Sequence, residues 1–202
     1  ICCDTRKVLN VAKKFNAKAI LTSKKHKCGT DRIAEALKKL KKKYDQIVNI
    51  QGDEPLIDPK NIDYVISHHR KNREYDIILP NLKTKFSKDP NVVRLIFNKK
   101  KQVIYITRSV TPYQFISKTN YIFKHLSIVS FKPKALIKYT KNKQSKLEKI
   151  EDIELLRAID LGLMIKTFSL KGNSFSIDIK KNLRDARKII YKDKFFKKYA
   201  KK

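Results

Sequence analysis

Two carboxylate residues at the end of an apolar segment are the feature of this chain most suited to chemistry. Residues 47–50 run into a glycine turn that delivers Asp53 and Glu54. Ligands of open α/β sheets bind at the C-terminal ends of strands, and a carboxylate there commonly holds Mg²⁺ against phosphate oxygens. Asp178 follows a second apolar segment, residues 175–177. We therefore predict a magnesium site between Asp53 and Asp178 that serves a nucleotide.

Charge offers a different interpretation. The chain has 202 residues, a net charge of +30 and a hydrophobic content of 41%. This length allows one full core, and the hydrophobic content is that of a folded protein. A basic surface is typical of nucleic-acid-binding proteins, but here the charge is mostly lysine and is spread along the chain. We favour a solvated lysine surface and keep nucleic-acid binding as an alternative. The tail, residues 192–202, predicts an amphipathic helix.

The cysteines and the lengths of the apolar segments indicate which cellular compartment to expect. No apolar run approaches the roughly 20 residues of a membrane span, and Cys2, Cys3 and Cys28 have no metal-ligand spacing. They are interpreted as reduced thiols of a cytosolic protein, without zinc. The chain begins inside an apolar segment with no initiating Met, so we expect its true N-terminus to lie upstream and leave targeting open.

Strands and helices alternate in the first half of the chain. Apolar spacing predicts helices around residues 8–15, 33–40 and 62–66, and strands at 19–22 and 46–51. Thr30 is the expected N-cap of the second helix, and Asp58 that of the third, before Pro59. His68 and His69 are expected to be solvated helix residues. Such alternation implies a mostly parallel sheet with helices on both faces.

The second half changes character. Segments 92–97 and 103–106 flank a polar turn, which predicts an antiparallel hairpin. Ser145 and Glu148 fit a capping box. Further elements are expected as a strand at 121–131, a helix from 146 that ends near Gly162, strands through Ile165 and 175–178, and a helix from about Asn182. We predict one α/β domain over residues 1–202, a doubly wound, mostly parallel sheet with an antiparallel extension.

Several motifs occur in a defined order. Residues 26–35 are H-K-C-G-T-D-R-I-A-E, and residues 48–55 are V-N-I-Q-G-D-E-P. Further motifs lie at 89–93, 105–108, 124–126, 145–148, 151–157 and 177–178. Together they resemble the signature of the 3-deoxy-manno-octulosonate cytidylyltransferases, or CMP-Kdo synthetases, across the whole chain.

The resemblance implies a nucleotide-diphosphosugar transferase type of fold and a nucleotidyltransferase activity. The expected reaction joins CTP and Kdo to give CMP-Kdo and pyrophosphate, for lipopolysaccharide biosynthesis in the cytoplasm. The family is dimeric, and the antiparallel region of about residues 103–131 is the expected interface.

On the nucleotide side, the resemblance implies that Asp53 and Asp178 are catalytic and hold Mg²⁺. It also implies that Gln51 and the turn Cys28, Gly29 and Thr30 bind the nucleotide. The alternatives are a simple turn residue at Asp53, a helix-capping acid at Asp178 and a capping turn without a ligand.

On the sugar side, the resemblance implies that Arg108 binds the sugar carboxylate, since a guanidinium suits a carboxylate bidentately. His125 and Glu154 would bind sugar hydroxyls. A surface ion pair is the alternative for Arg108, and plain packing is the alternative for His125.

The chain departs from the family pattern in three respects. The family's first βα unit, with its phosphate-binding loop, has no counterpart here, so we expect residues 1–202 alone to bind CTP weakly. Leu155 replaces a glutamine, Val129 an aromatic residue and Cys28 a serine. Loss of a polar partner can redirect specificity, so amino-Kdo or a nonulosonic acid stays an alternative substrate.

Overall fold

The computed structural model describes residues 1–172, 176–177 and 179–199, with eight helices and nine strands among them. The strands are β1 (Cys2–Cys3), β2 (Ile20–Leu21), β3 (Ile47–Ile50), β4 (Ile77–Lys85), β5 (Arg94–Phe97), β6 (Val103–Thr107), β7 (Tyr121–His125), β8 (Ile128–Phe131) and β9 (Ile165–Leu170). The helices are α1 (Arg6–Lys14), α2 (Gly29–Leu40), α3 (Pro59–Lys71), α4 (Pro133–Thr140), α5 (Lys146–Glu151), α6 (Leu155–Asp160), α7 (Lys180–Ile190) and α8 (Lys194–Tyr199). Of the predicted strand at 175–178, residues 175 and 178 lie outside the described residues, and the described residues 176–177 are not in a strand.

The sheet is mixed. Strands β1 and β2 form a small parallel sheet, and the larger sheet has the order β3-β8-β4-β7-β5-β6, with β9 paired to β4. The α/β class is confirmed, as is the hairpin of β5 and β6. Antiparallel pairing is more extensive than expected, because β8 runs against both β3 and β4, and β7 runs against both β4 and β5. Within the described residues only β1–β2 and β4–β9 are parallel.

The core lies on both faces of β4. Ile77 and Ile78 are consecutive and both fully buried, but they belong to different hydrophobic clusters. Successive strand residues point to opposite faces, so the sheet has a helix layer on each side. Leu136 of α4 and Leu156 of α6 pack in one cluster, and Val65 of α3 packs in the other.

The segment predicted as one strand, residues 121–131, is two strands. Its first half pairs with β4 and β5, and its second half pairs with β3 and β4. The chain changes partners at Leu126–Ser127, where the backbone N–H of Gln51 donates to the carbonyl of Ser127 at 3.2 Å. This break brings His125 to the C-terminal end of β3.

The helix predicted from residue 146 is also divided. The Ser145–Glu148 capping box is confirmed, with both of its bonds at 3.1 Å. Asp152, however, has a left-handed backbone with φ 51° and ends the first helix. The interruption places Glu154 just before α6, at the same end of the sheet as Gln51.

His69 is buried, contrary to the expectation of a solvated residue. Its Nδ1 lies 2.7 Å from the Ser130 hydroxyl and its Nε2 lies 3.3 Å from the Tyr75 carbonyl. His68 is partly buried and stacks on Phe168, with 4.0 Å between ring centroids. Both rings therefore fix α3 to the sheet, and burial lowers the pKa of each. None of the helices in the described part of the chain has the length and apolarity to cross a membrane.

Candidate active site

A cleft of about 490 Å³ opens beyond the C-terminal end of β3. Five of the nine predicted site residues line it, namely Gln51, Asp53, Arg108, His125 and Glu154. The Cys28–Thr30 turn lies behind Glu154 rather than in the cleft wall, and Asp178 lies outside the described residues. The sequence motifs are thus brought together from β3, β6, β7 and the α5–α6 junction.

Asp53 is exposed at the cleft because it lies in the turn that follows β3. Its backbone carbonyl accepts a hydrogen bond of 2.9 Å from the N–H of Ile177, which immediately precedes Asp178 in the sequence. Among the described residues, no group of three or more His, Cys, Asp and Glu side chains could hold a metal ion. Mg²⁺ needs fewer protein ligands, since one or two carboxylates with phosphate oxygens and water suffice. Asp53 fits that donor set.

Glu154 connects the start of α2 to the end of β3 through its side chain. Its carboxylate accepts from the Thr30 backbone N–H at 3.2 Å and from the Gln51 side-chain amide at 3.1 Å. Burial raises the pKa of Glu154, and the Thr30 N–H bond opposes that rise. The residue expected to face the sugar therefore also fixes two residues expected to face the nucleotide.

The turn before α2 differs from the expectation. The helix begins at Gly29, and Cys28 is its N-cap residue, without a side-chain capping bond. Thr30 is not the cap. Its fully buried hydroxyl instead accepts from the Asn49 amide of β3 at 3.3 Å. The turn is therefore fixed to the strand that ends at the cleft.

Cys28 is a protonated thiol in this setting. Burial raises its pKa to about 12, and the nearby Glu154 carboxylate adds to the effect. Its sulfur lies 3.7 Å from the Tyr139 hydroxyl and 3.6 Å from a guanidinium nitrogen of Arg157. All three cysteines are free, as predicted.

Arg108 follows β6 and reaches the rim of the cleft. Its guanidinium donates to the backbone carbonyls of Glu151 at 2.7 Å, Pro90 at 3.1 Å and Asp152 at 3.2 Å. None of the described carboxylates forms an ion pair with it. Since a guanidinium has five N–H donors, an anchored cation with spare donors faces the cleft.

His125 is neutral at physiological pH. Burial, together with the nearby cations of Lys124 and Arg108, lowers its pKa to about 4. A neutral imidazole offers one donor and one acceptor, which suits hydroxyl groups.

Two positions singled out for departing from the family pattern have different surroundings. Leu155 is 2% exposed and lines the cleft. Val129 is 1% exposed and packs in the core, away from the cleft lining. Only the change at Leu155 therefore alters the wall of the site.

Sequence reasoning assigned no site role to several residues that shape the cleft. The carboxylate of Glu151 accepts from the Thr107 hydroxyl and from the Arg108 N–H, both at 2.7 Å. The buried guanidinium of Arg94 donates to the Arg108 carbonyl at 2.7 Å. Glu54 is buried in the cleft wall, where the Ser176 hydroxyl lies 3.4 Å from it. Glu151 lies within a recognised motif, whereas the contact of Arg94 is set by the fold.

Comparisons with known proteins agree with this geometry. A family model described as cytidylyltransferase matches residues 1–166. The 3-deoxy-manno-octulosonate cytidylyltransferase of Fusobacterium nucleatum is 37% identical over 185 residues, which cover 89% of this chain and 74% of that protein. Its counterpart in Thermodesulfovibrio yellowstonii is 35% identical over 93% of this chain and 79% of its own length.

A solved structure shows the same architecture. CMP:2-keto-3-deoxy-manno-octonic acid synthetase complexed with CTP superposes with a TM-score of 0.84 at 26% identity, covering 94% of this chain and 78% of that one. Sequence, family model and fold thus agree, and the chain belongs to the cytidylyltransferase family.

Proposed function

We propose that this protein transfers the cytidylyl group of CTP to Kdo, giving CMP-Kdo and pyrophosphate for lipopolysaccharide biosynthesis in the cytoplasm. The observation that carries the proposal is the cleft at the end of β3. It combines the exposed carboxylate of Asp53, the anchored cation of Arg108 and the neutral imidazole of His125. The relatives named 3-deoxy-manno-octulosonate cytidylyltransferase support the same substrates.

The reaction depends on positioning and on charge. A hydroxyl on the anomeric carbon of the sugar attacks the α-phosphate of CTP, and pyrophosphate leaves. Such a transfer is catalysed mainly by alignment and by neutralisation of phosphate charge. Mg²⁺ held by Asp53 and Asp178 would supply that neutralisation. The hydrogen bond from Ile177 to the Asp53 carbonyl supports a shared location for the two carboxylates.

The remaining side chains have binding roles in this proposal. Arg108 would bind the sugar carboxylate through the donors that its three carbonyl partners leave free. His125 would bind sugar hydroxyls. Glu154 would hold the Gln51 amide and Thr30 in place for the nucleotide while facing the sugar.

Leu155 supports a second candidate substrate. Its buried side chain lines the cleft and has no hydrogen-bonding group. A site that lacks a polar partner discriminates less strongly for a hydroxyl. A related acid, amino-Kdo or a nonulosonic acid, is therefore the alternative acceptor.

We also propose a homodimer formed through the antiparallel region of residues 103–131. The segment between β6 and β7 presents Tyr113, Phe115 and Ile116 with 83%, 85% and 91% of their surfaces exposed. Contiguous exposed apolar side chains are typical of protein interfaces.

A pyrophosphate-release assay on the full-length protein tests the function. CTP is supplied with Mg²⁺ and a panel of sugar acids with eight or nine carbons. We expect release that requires CTP, Mg²⁺ and one sugar acid, with Kdo the best acceptor. No release with any sugar acid would overturn the proposal. Tight nucleic-acid binding that weakens steeply with added salt would favour the alternative function.

A further inference from the structure

A second cavity, larger than the cleft, lies elsewhere on the described part of the chain. It is a groove of about 1110 Å³ between α2 and α4 and shares no lining residue with the cleft. Its floor is apolar and includes Leu37, Ile47 and Leu136, and Ile137 is 53% exposed on its rim. We call it the α2–α4 groove.

The rim of the α2–α4 groove is strongly basic. Eight lysines line it, among them Lys38, Lys42 and Lys43 on one side and Lys141 and Lys143 on the other. All five of these side chains are exposed. Among the described carboxylates, none lies within ion-pair distance of any of the eight ammonium groups.

The acidic residues of the groove do not neutralise this rim, because two of the three have other partners. Glu35 pairs with Lys39 at 2.7 Å and with His26, and Asp31 pairs with Arg157 at 3.0 Å. The third, Asp45, lies among the exposed lysines. With eight lysines and one such aspartate, the groove combines an apolar floor with a strongly positive rim.

We propose that the α2–α4 groove binds an acidic amphipathic helix of a partner protein. A groove between two helices accepts the apolar face of a third helix, and acidic residues on its polar face would meet the lysine rim. Opposite charge across an interface aids association and selects the partner. The helix would place apolar residues against Leu136 and Ile137 and carboxylates near Lys38 and Lys141.

Other occupants fit less well. A second copy of a chain with a net charge of +30 would bring like charge against the rim. Single-stranded nucleic acid prefers aromatic platforms beside the cations of the protein, and Tyr44 is the one phenylalanine, tyrosine or tryptophan among the lining residues. A concave apolar floor also favours an inserted helix over a flat membrane surface.

A synthetic peptide probe tests the proposal. It has about 16 residues, or roughly four helical turns, with leucine on one face and glutamate on the other, and carries a fluorophore for anisotropy. We expect Lys141→Glu with Lys143→Glu to weaken binding about tenfold by reversing charge on the rim. We expect Ile137→Asp to weaken it similarly by removing an apolar contact at the rim. Matched controls are Lys99→Glu with Lys100→Glu in the β5–β6 turn, and Ile189→Asp on α7, each expected to leave affinity unchanged.

Competition separates the possible occupants. A scrambled peptide of the same composition and single-stranded nucleic acid should displace the probe poorly. No binding of the probe by the wild-type protein would overturn the proposal, as would equal weakening by the groove and control variants. Equal displacement by nucleic acid would assign the groove to polyanions instead. Circular dichroism of each variant excludes loss of fold as the cause.

Discussion

Arg157 and Glu148 form a buried, two-point ion pair. The guanidinium donates through Nε to one carboxylate oxygen at 2.8 Å and through Nη2 to the other at 2.6 Å, and both side chains are 2% exposed. The same guanidinium pairs with Asp31 in α2 and stacks 4.2 Å from the Tyr139 ring. One cation thus joins α5 and α6 to the helix that follows the Cys28 turn.

Arg157→Met should lower the free energy of unfolding by about 3–5 kcal/mol, because it leaves the Glu148 carboxylate buried without its cation. Urea denaturation measures the loss. Lys39→Met is the matched control, since it removes the more exposed pair with Glu35 and should cost at most about 1 kcal/mol. Equal losses in the two variants would contradict a dominant buried pair. The double variant Arg157→Met with Glu148→Gln should lose less free energy of unfolding than the sum of the losses in the two single variants.

Local sequence signals predicted those parts of the fold that neighbouring residues determine. The Ser145–Glu148 box and the Asp58 cap both form as expected, with Asp58 accepting from the Lys60 N–H at 2.9 Å. Each depends on residues within three positions. Side-chain chemistry alone therefore located these two helix starts, but not that of α2, where Cys28 and not Thr30 is the N-cap residue.

The breaks within elements depend on distant partners and were missed. Asp152 interrupts a helix whose apolar spacing continues, while the adjacent Glu151 carboxylate binds the backbone N–H of Arg108, 43 residues away in sequence. Burial of His69 likewise depends on Ser130, 61 residues away. Periodicity carries no information on such contacts.

The site was predictable where a motif supplied the residues, but not where the fold supplied the contact. Gln51 and Asp53 belong to one short motif and lie at the cleft as expected. The pairing of Arg157 with Asp31 joins residues 126 apart. Two motifs can therefore contain Arg157 and Asp31 without revealing that these residues form an ion pair with each other.

Asp53→Asn should lower the rate of pyrophosphate release by at least about 100-fold, since a bound metal supplies several kcal/mol of charge stabilisation. Stability should be unchanged, because the side chain is exposed and the bond with Ile177 uses the backbone carbonyl. The assay is run against Mg²⁺ concentration. Asp63→Asn, an exposed aspartate on α3, is the control. If the Asp53→Asn enzyme kept the normal magnesium dependence, Asp53 would not be a ligand of the metal.

The pKa of His125 should be near 4 by NMR titration, whereas that of an exposed histidine is near the ordinary value of about 6.5. Between those values the unfolded chain binds the proton and the folded chain does not. The contribution of His125 to the free energy of unfolding is therefore fully present above about pH 6.5. It decreases as the pH falls, by at most about 1.4 kcal/mol per pH unit.

His125→Gln should remove this part of the slope in urea denaturation. His68 and His69 have pKa values lowered in the same direction and should leave a residual slope. A His125 resonance that titrates near 6.5 would contradict the desolvation of this ring.

Cys28 should resist alkylation in the folded protein. A pKa raised from 9.0 to about 12 lowers the thiolate fraction near neutral pH by about a thousandfold. Mass spectrometry after iodoacetamide treatment measures modification of Cys28 in native protein and in protein unfolded by urea. Rapid labelling of native Cys28 would show that the thiol reaches solvent as an anion.

Phe115→Lys with Ile116→Lys should convert a dimer to a monomer in light scattering after size-exclusion chromatography. Both side chains are more than four-fifths exposed in the isolated chain, with exposures of 85% and 91%. Burying a side chain of this kind contributes about 1.5–3 kcal/mol, and a lysine in its place would desolvate a charge. Ile150→Lys, at a site 68% exposed on α5, is the control and should leave the dimer intact. A wild-type monomer at every concentration would overturn the proposed dimer, and a dimer that survives the double substitution would place the subunit contact elsewhere.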